Sequence, residues 1–225
     1  MTIPYSMVCF SYGITEAAMA RVRREDWLQH GLSILSSESV AALTIERLTT
    51  DLGVTKGSFY HHFGGWPSYK TALLQQFEQQ DTLDIIQHLA GYHDPAQKLR
   101  ALFDLLTIVA IYAANDPWDV EIAMRGWAAA DPEVRAMIER IDHVRITFVA
   151  ELCSAITGDA ERGLLMAQHG YSILLGAILM QPMLPMARLR QIYDEFLRLY
   201  AIPGGSDVDH AAPNSGTADR PIESY

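Results

Sequence analysis

The sequence predicts an all-α chain of about nine helices, with an N-terminal three-helix head and a larger helical body. Three observations carry this. Apolar residues recur at spacings of three and four through the middle of the chain, no run alternates as a half-buried strand would, and helix-opening residue pairs punctuate the sequence. The 225 residues are 49% apolar and 20% charged, which suits a globular core of ordinary size.

Taken in order, residues 1–20 read as a disordered leader. An apolar patch at residues 7–10 has no basic residues ahead of it, so a secretory signal is not expected, and Met1 and Met19 both stay open as the start. The first helix is expected near 21–36, where Arg21, Arg23 and Arg24 make either a basic arm or a solvated helix start. Near 44–52, Ile45, Leu48, Thr49 and Leu52 form one stripe behind a capping Thr44. Gly53 supplies the left-handed turn, and Thr55 caps a short helix near 55–62 whose Phe59 and Phe63 face inward. Pro67 opens a helix near 67–90.

Three Asp-Pro pairs follow, Asp94-Pro95, Asp116-Pro117 and Asp131-Pro132. Each offers a side-chain acceptor at the cap and a preset φ at the first helical position, opening helices near 95–114, 118–130 and 132–157. Asp159 and Pro185 open the last two, near 159–181 and 186–201. From 203 to 225, Gly, Ser, Asp, Asn and Pro displace the periodic apolar residues, and the segment reads as a disordered tail. The expected units are therefore a leader at 1–20, a head at 21–66, a body at 67–202 and a tail at 203–225.

Residues 163–187 carry no Asp, Glu, Lys or Arg and nominally reach the roughly 20 residues of a membrane span. Gln168, His169, Ser172 and Gln181 interrupt them and no basic cluster flanks them, so a buried interface helix is expected and no membrane. Cys9 and Cys153 are far apart and fit no metal-ligand spacing, which points to free thiols in a reducing cytoplasm and to no metal. No motif for a cofactor is present either.

The net charge of −10 is unevenly spread. Residues 21–70 hold six basic and five acidic residues, whereas 71–225 hold eleven and twenty-one. A near-neutral head on an acidic body leaves one face tolerable to phosphate.

That face is the helix after Thr55. Its outward set, Lys56, Ser58, Tyr60, His61 and His62, mixes hydroxyls, imidazoles and one cation and omits acids. Gly57 clears the first turn, so free amides and the positive end of the helix dipole can approach an anionic backbone. With the residue string "LTIERLTTDLGVTKGSFYHHF" at 43–63, the sequence resembles the TetR family of bacterial transcriptional regulators. The resemblance implies a helix-turn-helix DNA-binding head, a variable ligand-binding and dimerisation body, and function as a ligand-responsive repressor that holds a palindromic double-stranded operator as a homodimer. It implies that Thr44, Thr55, Tyr60 and His62 hold phosphates and that Lys56, Ser58 and His61 reach phosphates or base edges, with Gly57 in close approach. Where the family usually carries a lysine after the recognition helix, Trp66 stands here, and Lys70 is the nearest cation left for that contact.

In the body, Val134, Met137, Ile141, Val144, Phe148, Leu152 and Ala155 form a seam, and Gly163, Ala167, Gly170, Leu174 and Ala177 offer a small-residue partner. The helices near 132–157 and 159–181 are the expected dimer bundle, with packing inside one chain as the alternative. An unknown small-molecule effector is expected among the body helices. Phe103, Tyr112, Met124, Trp127 and His169 are the candidate pocket residues, all of types that also fill cores. No enzyme motif and no paired catalytic carboxylates occur, so no catalytic residue is named; an all-α enzyme or a protein-binding adaptor that keeps the head without DNA affinity is the competing reading.

Overall fold

The computed structural model describes residues 22–112, 117–200 and 202, without the side chains of 108–112, 117 and 118. The leader at 1–20 and the tail at 203–225 lie outside the described residues. The described chain is all α. In order, α1 is Arg24–Ser37, α2 Ile45–Asp51, α3 Lys56–Phe63, α4 Trp66–Glu78, α5 Asp84–His88, α6 Pro95–Tyr112, α7 Pro117–Ala128, α8 Pro132–Thr157, α9 Ala160–Leu179 and α10 Met186–Leu199. The helix expected over 67–90 is not a single regular one, because a π-helical turn, Gln79–Leu83, joins α4 to α5.

The helix starts follow from local chemistry. Thr44 Oγ1 accepts from the Arg47 amide and Thr55 Oγ1 from the Ser58 amide, at 3.1 and 3.3 Å. Asp131 accepts from the Glu133 and Val134 amides, and Asp159 from those of Glu161 and Arg162, so each satisfies two donors that a helix start leaves free. Asp94 caps α6 through the Gln97 amide; Asp116 lies outside the described residues. Gly53 and Gly64 adopt φ of 64° and 71°, ending α2 and α3 in the left-handed region as the turns require.

Trp27, Phe59, Phe63 and Tyr69 build the centre of the head, with ring centroids 4.9–6.3 Å apart. Tyr69 Oη, arriving from α4, donates to the Trp27 carbonyl at 3.1 Å. It occupies the space beside Gly31: a Cβ there would stand 2.0 Å from that oxygen, so only glycine lets α1 and α4 approach this closely.

The apolar core divides in two, and the division does not fall at residue 66. One cluster joins α1–α4 to Met124, Trp127 and Ala128 of α7 and to Val134, Met137, Ile138 and Ile141 at the start of α8. The other gathers Leu99, Leu102 and Phe103 of α6, Leu152 and Cys153 of α8, α9, and Tyr193 and Phe196 of α10. α8 spans both, and α9 runs back antiparallel beside it, since Gly163 meets Ser154 while Tyr171 reaches Asp142. No described helix is long and apolar enough to cross a membrane; the stretch at 163–187 leaves helix after Leu179.

Candidate functional site

Two regions of the described chain carry chemistry that the core does not need. The first is the outer face of α3. Thr55, Lys56, Gly57, Tyr60 and His61 are exposed there, with Tyr60 at 52% of its full exposure. Thr44 is exposed beside them at the start of α2. Nothing in the fold requires glycine at 57, because an added Cβ would meet only Thr55 Oγ1, at an ordinary 3.5 Å. Gly57 is exposed, so the first turn of α3 is bare on its outer side. Ser58 and His62 are less open than the sequence suggests: both are half-buried, and the His62 ring packs 6.3 Å from Trp27.

The head's cations are largely spent on its own acids. Arg23 pairs with Asp26, Arg47 with Glu38 and Asp51, and Lys56 with Glu46. Lys56 holds the Glu46 carboxyl below the ordinary carboxylate range through that hydrogen bond. Thus an acid from α2 reaches the otherwise acid-free face of α3. Arg24 instead lies over the Phe63 ring at 5.0 Å. These pairs are exposed, so each holds its lysine or arginine weakly and a phosphate can compete for it.

Lys70 corrects an expectation. Its Nζ lies 2.6 Å from Asp131 and 2.8 Å from Glu133, its side chain is 14% exposed, and the Trp127 ring sits 5.9 Å away. Burial works against its charge, but the hydrogen bonds to Asp131 and Glu133 outweigh it and raise the lysine above its ordinary pKa. This geometry takes Lys70 out of the expected phosphate set and makes it a tie between α4 and the start of α8. Glu78 and Arg140 form a second, two-pronged tie between the same helices, at 2.8 and 3.0 Å. Trp66 packs at a tilt on Tyr69, with centroids 5.4 Å apart, and offers no charge in the position of the missing lysine.

The second region is a cavity of about 140 Å³ between α6, α7, α8, α9 and α10. Leu102, Phe103, Leu106, Phe148, Val149 and Leu174 make its wall largely apolar, while Asp81, Thr82, Glu121, Arg145 and Tyr171 gather in one part of its lining. The π turn puts Asp81 and Thr82 there. Widening the helix by one residue brings the Asp81 carbonyl and the Thr82 hydroxyl within 3.1 and 2.9 Å of Arg145, and such turns recur at functional sites.

That polar lining is a closed network. Glu121, with a side chain 3% exposed, accepts from Arg125 at 2.7 Å and from Arg145 at 3.0 Å. Arg125 also grips Asp142 through both terminal nitrogens, at 3.2 and 2.7 Å, and Tyr171 Oη donates to Asp142 at 2.7 Å. Two guanidiniums and two carboxylates balance. Asp81 is the fifth charge, and its carboxyl has no hydrogen-bond partner among the described residues. Burial pushes it up to about 7, against the pull of Arg145 and with the push of Glu121.

Of the five pocket residues expected from sequence, Phe103 lines this cavity. Met124 and Trp127 are buried in the other core, under the head, because their face of α7 packs on α1. His169 is exposed, with Nδ1 3.0 Å from Tyr200 Oη, and the side chain of Tyr112 lies outside those described. Sequence reasoning missed Asp81, Glu121 and Arg145. Glu121 lies near the start of α7, where an acid suits the helix dipole without any further role, and no periodic pattern marks a π turn. Among the described residues no group of three His, Cys, Asp or Glu is placed to hold a metal.

The two stripes expected to build a dimer meet inside the chain. Gly163, Ala167, Gly170, Leu174 and Ala177 are all buried, and Gly163 lies so close to α8 that an added Cβ would stand 2.6 Å from the Ser154 amide nitrogen. The small residues therefore serve α8–α9 contact within one subunit. Open instead is the opposite side of α9, where Leu164, Leu165 and Leu179 are exposed, Leu165 at 62%.

No family model matches the chain, and no curated protein does so. Solved structures do match. A TetR-family transcriptional regulator from Rhodococcus sp. aligns at a TM-score of 0.64 and 13% identity over 79% of this chain and 97% of its own. A transcriptional regulator from Saccharomonospora viridis, solved with choline, aligns at 0.64 and 12% over 78% and 95%. Thermus thermophilus FadR, a TetR-family transcriptional repressor solved with lauroyl-CoA, aligns at 0.50 and 19% over 86% and 100%. The chain has the all-α fold of these regulators, as the resemblance at 43–63 implied.

Proposed function

We propose that this chain is a TetR-type transcriptional regulator, a repressor that holds a palindromic operator as a homodimer and releases it when a small molecule enters the body. The observation that carries the reading is the outer face of α3: hydroxyls, imidazoles, a lysine and a bare glycine turn mounted on an aromatic core, with no close neighbour among the described residues to account for Gly57. Thr44, Thr55, Lys56, Gly57, Ser58, Tyr60 and His61 supply the DNA contacts, and His62 supports them from its seat on Trp27.

Two such helices must enter successive major grooves about 34–36 Å apart, so the operator is symmetric and the dimer indispensable. The open leucines of α9 suit the dimer face, and their apolar character is what a covered surface would have. Choline and lauroyl-CoA in the two neighbours support a ligand role for the body. In this chain the cavity beside the π turn is its seat. Arg145 links that turn to α7 and α8, and α4 runs from it into the head, so a ligand that prefers one position of the turn biases the position of α3.

Selection of bound duplexes from genomic fragments, followed by addition of metabolite pools to the winning complex, tests the whole reading. A palindromic site whose affinity falls with salt and with ligand is expected. If no duplex is retained above background at low salt, the DNA-binding reading fails and the adaptor reading takes its place; turnover of a metabolite by the purified chain would favour the enzyme.

A further inference from the structure

We propose that the cavity beside the π turn takes a compact organic cation, an amine or ammonium with a small apolar body, with the carboxylate of Asp81 as its counter-ion. The inference rests on the reading of this cavity as a ligand site and goes beyond it by fixing the ligand's charge and size.

The size follows from the space. A cavity of about 140 Å³ is close to engineered ones of roughly 150 Å³ that accept benzene, so a single ring or a short branched chain fills it. The charge follows from which polar groups are free. An anion would look to Arg145, but Nε is held by Thr82, Nη1 by Glu121 and Tyr171, and Nη2 by the Asp81 carbonyl, which leaves one N–H of five for a ligand. Arg125 is likewise held by Glu121 and Asp142. Asp81, half-buried in the lining, is the charge left over from this balanced set, and its carboxylate has no hydrogen-bond donor among the described residues. A carboxylate shielded from water and without a hydrogen-bond donor is costly, and a bound cation removes that cost where a neutral ligand cannot.

The apolar wall agrees. Phe103 and Tyr193 stack at 4.0 Å and both line the cavity, so aromatic surface is available to an ammonium group's methyl or methylene carbons. The charged and titratable groups facing Asp81 are Arg145 from α8, Glu121 from α7, Tyr171 from α9 and Tyr193 from α10. Burial holds both tyrosines protonated, Tyr171 up at about 12. Because an empty cavity leaves the Asp81 carboxyl near 7, cation binding has to release its proton at low pH. Affinity for a permanently charged cation then weakens by roughly tenfold per pH unit below that value.

Calorimetric titration of the full chain with benzylamine, benzyl alcohol and sodium benzoate, three probes of nearly one shape, separates charge from cavity. Benzylammonium is expected to bind at least about tenfold more tightly than benzyl alcohol, benzoate not at all, and Asp81→Asn to reduce the cation to the level of the alcohol. Asp81→Asn is isosteric and breaks no hydrogen bond of the described chain, so its folding is preserved. If the alcohol or benzoate binds as well as the cation, or if the preference survives Asp81→Asn, the charge assignment is overturned while the cavity stands as a ligand site. If none of the three binds at millimolar concentration, the cavity itself is not the site and both readings fall.

Discussion

Removing the Glu121 carboxylate tests whether the polar lining of the cavity is a buried network or a solvated one. Its oxygens hold Arg125 and Arg145 at 2.7 and 3.0 Å from a side chain only 3% exposed. In Glu121→Ala, Arg125 keeps Asp142, but Arg145 keeps only the Thr82 and Tyr171 hydroxyls and the Asp81 carbonyl. Stripping one partner from a buried pair costs about 3–5 kcal/mol, and the lower end applies because Arg125 is not orphaned. For a chain of this size about 3 kcal/mol corresponds to a fall in Tm of roughly 6–12 °C, readable by circular dichroism at pH 7.5. Asp81 supplies an internal check, since with Glu121 gone its carboxyl can ionise beside Arg145 and recover part of the loss. Glu121→Ala is therefore expected to cost more in an Asp81→Asn background than in the native one. A loss under about 1 kcal/mol in both backgrounds would mean that water already screens the network, and the argument from buried charge would be wrong.

Three further outcomes are expected. Gly163→Ala forces a Cβ within 2.6 Å of the Ser154 amide nitrogen and should cost about 1–3 kcal/mol in urea denaturation, whereas Gly176→Ala, with nothing within 4 Å, should gain up to about 1 kcal/mol; equal effects would dissolve the close α8–α9 contact. Asp81 binds its proton more tightly in the folded chain than in the unfolded one, so native stability should fall, relative to Asp81→Asn, as pH rises from about 4 to about 7 and level off above; a difference that does not change with pH removes the burial argument. Glu46→Gln frees Lys56 and deletes an acid beside the phosphate path. Operator affinity should rise by about two- to fivefold at low salt, measured by fluorescence anisotropy, and an unchanged value would mean that Lys56 does not reach DNA.

The head was legible because its devices are local. Thr44, Thr55 and Gly53 act on their own few residues, as do Asp94 and Asp131 in the body, so their helices begin near where the letters place them. The roles of long side chains were not legible. Lys70 reads as a free cation until α8 brings Asp131 and Glu133 to it from about sixty residues away. The α8 and α9 stripes were visible, yet periodicity cannot say whether two matched faces meet within one chain or across two. Asp81 was hidden for another reason: a π turn carries no signature in hydrophobic spacing, and the residue counts only because Arg145 and Glu121 converge on the same cavity.

The upper core, which runs without a break from α1 through α4 into α7 and the first turns of α8, bears on how such a chain could be re-engineered. Transplanting residues 21–66 onto another regulator would strand Trp127, Val134 and Met137 without their covering surface and strip the head of its floor. A functional chimaera needs its seam farther along, with α7 and the start of α8 travelling alongside α1–α4. Exchanging α1–α4 alone would break the core they share with α7 and the start of α8, whereas the second core, around Phe103 and Tyr193, could stay behind intact.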